Sequence, residues 1–123
     1  MSTPDPPIVD EEVLVQLLAS VEGDRAFVAE LVGAFLADGE AHVEAARRAV
    51  AGEDPQGLVR PAHTLKSSSA TVGAMQLAAT SRQLEMAGRS GTLDATAAAL
   101  ADRLGIEWTA TTDGLRAWMA AGD

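Results

Sequence analysis

From Ile8 to the end of the chain, apolar residues recur three and four positions apart, and nowhere do they alternate with polar ones over a strand's length. That spacing admits helices and little else. Asp10, with Glu11 and Glu12 behind it, caps a first short helix carrying Leu14, Leu17, Leu18 and Val21, which Gly23 stops. Asp24 caps a second, longer one with Phe27, Leu31, Val32, Phe35, Leu36, Val43 and Val50 along its stripe, softened at Gly39 and ended by Gly52. Asp54-Pro55 is a cap followed by proline at the first helical position. The helix it opens carries Leu58, Ala62, Leu65 and Ser69, and runs out before Val72-Gly73. A fourth covers about Ala74 to Met86, with Leu77, Ser81 and Leu84 inward and a stop at Gly88 or Gly91. The last begins near Leu93-Asp94, and its inner face reads Leu100, Leu104, Trp108, Thr111, Leu115 and Trp118.

Composition agrees with close-packed helices. Hydrophobic residues make up 47% of the chain, 25 of them alanine, with two Phe, two Trp and no Tyr. Such a core is aliphatic and thin. Short connections favour antiparallel neighbours, so the expected fold is all-α: an up-and-down four-helix bundle with a short additional N-terminal helix as a lid. At 123 residues this is one domain over 8–123, preceded by a proline-bearing flexible tail over 1–7.

The same counts exclude several functions. With no cysteine there is no disulfide, thiol nucleophile or thiolate zinc site. Nine basic against 18 acidic residues give a net charge of −9, which argues against nucleic acid or an anionic membrane as partner. No apolar run approaches the ~20 residues of a membrane span. Met1 to Pro7 lacks the basic start and apolar stretch of a secretory signal, so a cytoplasmic location is expected. No His/carboxylate spacing suggests a metal, no glycine-rich loop a nucleotide, and Ser67-Ser68-Ser69 has none of the glycines of a hydrolase elbow. Lys66 is the only lysine among the nine basic residues.

On a wheel of about 100° per residue, Leu58, Ala62, Leu65, Ser69 and Val72 share the core face of the third helix, and His63 falls about 140° from them. Beside His63 lie Lys66, Ser67 and Ala70, with Val59 one turn before. An exposed histidine is ordinarily a solvated surface residue. This one is ringed by small side chains open to a flat or convex partner, and has the single lysine at i+3. Such a ring is largely neutral at pH 7 and suits a nucleophile that accepts an anionic group from another protein. Pro61 lies two residues before it. A helix starting near Arg60 takes that proline in its first turn, whereas one starting at Pro55 is expected to kink there. His42, between Glu40 and Glu44, reads as a solvated position, and Phe27, Phe35, Trp108 and Trp118 read as core. Arg60, Arg82 and Arg89 could frame the site electrostatically, but surface solubility is the better account of them.

The string Ala62-His63-Thr64-Leu65-Lys66-Ser67-Ser68-Ser69-Ala70-Thr71-Val72-Gly73-Ala74, followed by Leu77 and Leu84-Glu85, strongly resembles the histidine-containing phosphotransfer (HPt) family of two-component phosphorelays. The resemblance implies that His63 is the phosphoryl acceptor, attacking through Nε2 the aspartyl phosphate of a receiver domain and later passing the group to another. It also implies that Lys66 steadies the added charge; a cation at ~4 Å is worth about 1 kcal/mol in water and more where a docked partner excludes solvent. Glu85 matches the position, often glutamine, that orients the histidine ring, although its own charge sits awkwardly near a phosphoryl group. Ser67 stands where many members have glycine. Val59, Ser67, Ala70 and an exposed first-helix position such as Val13 are the expected docking surface. Response-regulator receiver domains and a hybrid sensor kinase are the expected partners. The chain itself is expected to be a monomeric phosphocarrier with no autonomous enzymatic activity and no cofactor, Mg²⁺ residing on the receiver. The alternative is a helical interaction module that binds or sequesters a receiver without phosphotransfer.

Overall fold

A computed structural model describes residues 5–122, and these form five helices and no strand. They are α1 (Glu11–Ser20), α2 (Arg25–Ala51), α3 (Pro55–Thr71), α4 (Met75–Ser90) and α5 (Ala95–Ala121). Four of them start at an aspartate whose Oδ1 accepts a backbone N–H of the first turn: Asp10 from Glu12, Asp24 from Phe27, Asp54 from Gly57 and Asp94 from Ala97. Each cap occupies one of the donors a helix start leaves free.

α2 and α4 each pack against both α3 and α5, and α1 touches α2. Leucine and valine fill the centre. Leu14, Val28, Val32, Leu58, Leu65, Leu77, Leu84, Leu104 and Leu115 are all fully buried. No helix among the described residues is long and apolar enough to cross a membrane.

Two contacts set the geometry around the site. Gly73, at φ +80°, turns the chain between α3 and α4, and its carbonyl accepts from Asp10 N at 2.7 Å. The start of α1 is thereby pinned to that turn. At the other end of the helix pair, a side chain on Gly88 would fall 2.8 Å from the Pro55 carbonyl and 3.0 Å from Val59 Cγ2. The missing Cβ lets α4 approach α3 closely.

Several details differ from expectation. Phe27 is 43% exposed; Val28 takes the core position, because 28, 32, 35, 39, 43, 46 and 50 form the buried row and 27 lies on its flank. α4 continues past Met86 and through Gly88 to Ser90, ending at Gly91 with φ +81°. Gly39 is buried and gives Trp108 room rather than weakening α2. The Trp108 ring packs on Phe35 at 5.5 Å between centroids and is only half-buried, as is Trp118 under the Arg25 guanidinium. α3 does begin at Pro55 and remains helical across the buried Pro61. Of the expected tail, residues 1–4 lie outside those described, and the Pro7 carbonyl is tied to Gln76 N at 3.1 Å.

Candidate functional site

α3 presents His63 and Lys66 on the side facing α4, and α4 answers with Glu85. The His63 side chain is 55% exposed, whereas that of Glu85 is only 7% exposed. His63 Nδ1 lies 3.0 Å from Glu85 Oε2. The same oxygen accepts from Arg89 Nε at 3.0 Å and Nη2 at 2.7 Å. Lys66 Nζ stands 2.7 Å from Oε1.

One buried carboxylate thus joins three basic side chains. Lys66 first, then Arg89, and to a smaller degree His63 hold the Glu85 pKa down at about 2 despite the opposing effect of burial. Glu85 is therefore ionised at neutral pH and can only accept hydrogen bonds. The proton in the 3.0 Å contact must sit on His63 Nδ1. In the neutral ring, Nε2 then carries the lone pair. Two cations, Lys66 and Arg89, stand against the Glu85 charge.

The sequence model described as the Hpt domain matches residues 30–118, well over half of the chain. The chain belongs to the Hpt domain family. The crystal structure of histidine-containing phosphotransfer protein B from Pseudomonas aeruginosa is similar to this Hpt domain with a TM-score of 0.82 and 26% identity, covering 95% of this chain and 98% of that one. No curated protein sequence matches it.

The other residues singled out in the sequence surround His63 unevenly. Ser67 and Ala70 are exposed on the same side of α3. Val59 is half-buried because it packs against Gly88, and Val13 is half-buried because its Cβ lies close to Gly73. His42 is not an ordinary solvated residue; it is half-buried in a groove between α2 and α3 that Phe35, Thr64, Ser68 and Val72 also line. Among the described residues no group of three or more His, Cys, Asp and Glu side chains could hold a metal. Arg89 is the residue that sequence reasoning left among surface solubility groups. Its signal was available, since Glu85 and Arg89 are four apart on one helix and such pairs face each other.

Proposed function

We propose that this Hpt domain is a phosphorelay intermediate that carries a phosphoryl group on His63. The observation that supports the reading best is the exposed imidazole whose Nδ1–H is held by an ionised, buried Glu85. The Nε2 lone pair of the neutral ring attacks the phosphorus of a receiver domain's aspartyl phosphate in line. The P–Nε2 bond forms and the P–O bond to the aspartate breaks, its electron pair leaving on the aspartate carboxylate. No proton needs to move. The ring gains the positive charge, and Glu85 stands against Nδ1–H to offset it. Lys66 then turns its ammonium toward the phosphoryl oxygens. The reverse sequence delivers the group to a second receiver.

The partners in this reading are response-regulator receiver domains and a hybrid sensor kinase, which bring the acidic pocket and Mg²⁺. This chain acts as a carrier without a cofactor of its own. Residues 8–123 form the single functional domain, an antiparallel up-and-down four-helix bundle of α2 to α5 with α1 laid beside it, working as a cytoplasmic monomer. Ser67 and Ala70, flanked by Val59 and Val13, form the docking face around His63.

Incubation with a phosphorylated receiver domain tests this. Phosphate is expected to move to this protein in acid-labile form, and His63→Gln is expected to abolish the transfer. Stable binding with no transfer would favour an interaction module instead, and transfer surviving His63→Gln would remove the site from α3.

A further inference from the structure

Within the phosphocarrier reading, on which this inference rests, Lys66 has two incompatible tasks. In the resting protein it pairs with Glu85 Oε1 at 2.7 Å, and in the phosphorylated protein it is needed by the phosphoryl group. When it leaves, a carboxylate that is only 7% exposed loses one of its two permanent cations beside two new negative charges. Something else must hold Glu85 in place.

Arg89 is built for that. It contacts the other oxygen, Oε2, with two N–H donors at 3.0 and 2.7 Å. Lys66 meets the other oxygen, Oε1, at 2.7 Å through a single ammonium. The two cations therefore hold the carboxylate differently: Arg89 by two N–H donors on the oxygen that faces His63, Lys66 by one contact on the oxygen that does not. Oε2 is also the oxygen that receives His63 Nδ1–H, so the arginine fixes the acceptor that decides which ring nitrogen is the nucleophile. Arg89 lies one turn beyond Glu85 on the same helix and is 60% exposed.

We infer that Arg89 is a positioning residue for phosphotransfer, which anchors Glu85 Oε2 against His63 Nδ1 so that Lys66 is free to leave the carboxylate for the phosphoryl group. It acts through Glu85 and not on the phosphate. Two consequences separate it from a simple surface ion pair. Arg89 holds the carboxylate oxygen that accepts His63 Nδ1–H, so removing it slows phosphoryl acceptance. The groups facing Glu85 from α3 are His63 and Lys66, and Arg89 is the one on α4 itself. Its removal also loosens Oε2, so the neutral ring loses part of its bias toward Nδ1–H.

The test uses the full chain and a small-molecule phosphoramidate donor, which reads His63 without any receiver. Arg89→Gln is expected to slow acceptance at pH 7 by about fivefold, in keeping with a charge-assisted but partly exposed pair. Arg89→Lys is expected to restore part of the rate. In a Glu85→Gln background the Arg89→Gln substitution should have no further effect. An equal effect in both backgrounds would mean that Arg89 touches the phosphoryl group itself, and would overturn the inference. An unchanged rate in Arg89→Gln would overturn it as well. Ring ¹⁵N shifts supply a second measurement that needs no transfer: Nδ1–H should predominate in the native protein and give way to a mixture in Arg89→Gln. Native-like shifts in the variant would contradict the positioning role. A native protein that accepts no phosphate but shows the tautomer change would refute the phosphocarrier reading and leave the anchoring role of Arg89 standing.

Discussion

Two glutamates are buried on neighbouring helices of this bundle, and they are opposites. Glu85 on α4 is surrounded by Lys66, Arg89 and His63, and its pKa falls to about 2. Glu107 on α5 is just as buried, at 6% exposure, and its pKa is raised, with burial the main cause. Thr80 and Arg103 work weakly against that rise, Arg103 from 3.9 Å, and Glu107 Oε1 has no partner. Burial is thus common to both, and the difference lies in what faces each carboxylate. Lys66 from α3 and Arg89 from α4 itself hold Glu85 as an anion beside the exposed His63 ring. Glu107 has no such neighbours and is an unfavourable group in the core.

The comparison breaks most visibly if the two are neutralised in turn. Glu85→Gln keeps a neutral acceptor for His63 Nδ1–H, so phosphoryl acceptance is expected to fall by only about fivefold, whereas Glu85→Ala removes the acceptor and is expected to lower it by about 10- to 100-fold. Glu107→Gln should leave acceptance unchanged. Similar losses in both glutamine variants would show that the bundle's general integrity, and not the Glu85 network, controls the site. Stability should respond in the opposite sense at α5. Glu107→Gln keeps the shape and removes the buried charge, so chemical denaturation at pH 7 should show a gain of about 1 kcal/mol. A loss there would mean that the Arg103 and Thr80 contacts outweigh burial.

The smallest effect is in acid. The pKa of Glu85 lies below its ordinary value of 4.5, so the stabilisation from its pairs is present above that pH and is lost as pH falls from about 4.5 toward 2. The pKa of Glu107 lies above 4.5, so its penalty is full only above the raised value and disappears below the ordinary one. In Tm measured against pH, the difference between native protein and Glu85→Gln should therefore close on the acid side. The gain in Glu107→Gln should also vanish there, but from a higher pH. A gain persisting at pH 3 would contradict the account of Glu107.

Much of this arrangement is legible in the amino-acid string. Asp10, Asp24, Asp54 and Asp94 are all caps in the structure, because a short acidic side chain before an apolar row has few other uses. The wheel places His63 in solvent and Leu58, Leu65 and Ser69 in the core, as the structure does. What the string conceals is which of two adjacent apolar rows is covered. Phe27 and Val28 are equally consistent with a helical stripe, and only the packing of neighbouring helices selects Val28. Gly88 resembles a stop signal because nothing local reveals that α3 backbone presses against it. Glu107 sits three residues after Leu104 and four before Thr111, on the very stripe that is buried, so its burial was readable from spacing once its charge was disregarded. Arg89 is the opposite case: its spacing from Glu85 is visible, but an arginine four residues from a glutamate is common on any solvated helix. Its meaning depends on Glu85 facing α3.

The proposed attack through Nε2 of His63 depends on Glu85 keeping the proton on Nδ1. Its most direct test is to phosphorylate the protein from a receiver domain and identify the bonded atom by ³¹P–¹⁵N and ³¹P–¹H correlation. The account predicts a single phosphoramidate on Nε2 of His63. Phosphate bonded to Nδ1, or to any other residue of the chain, would contradict it.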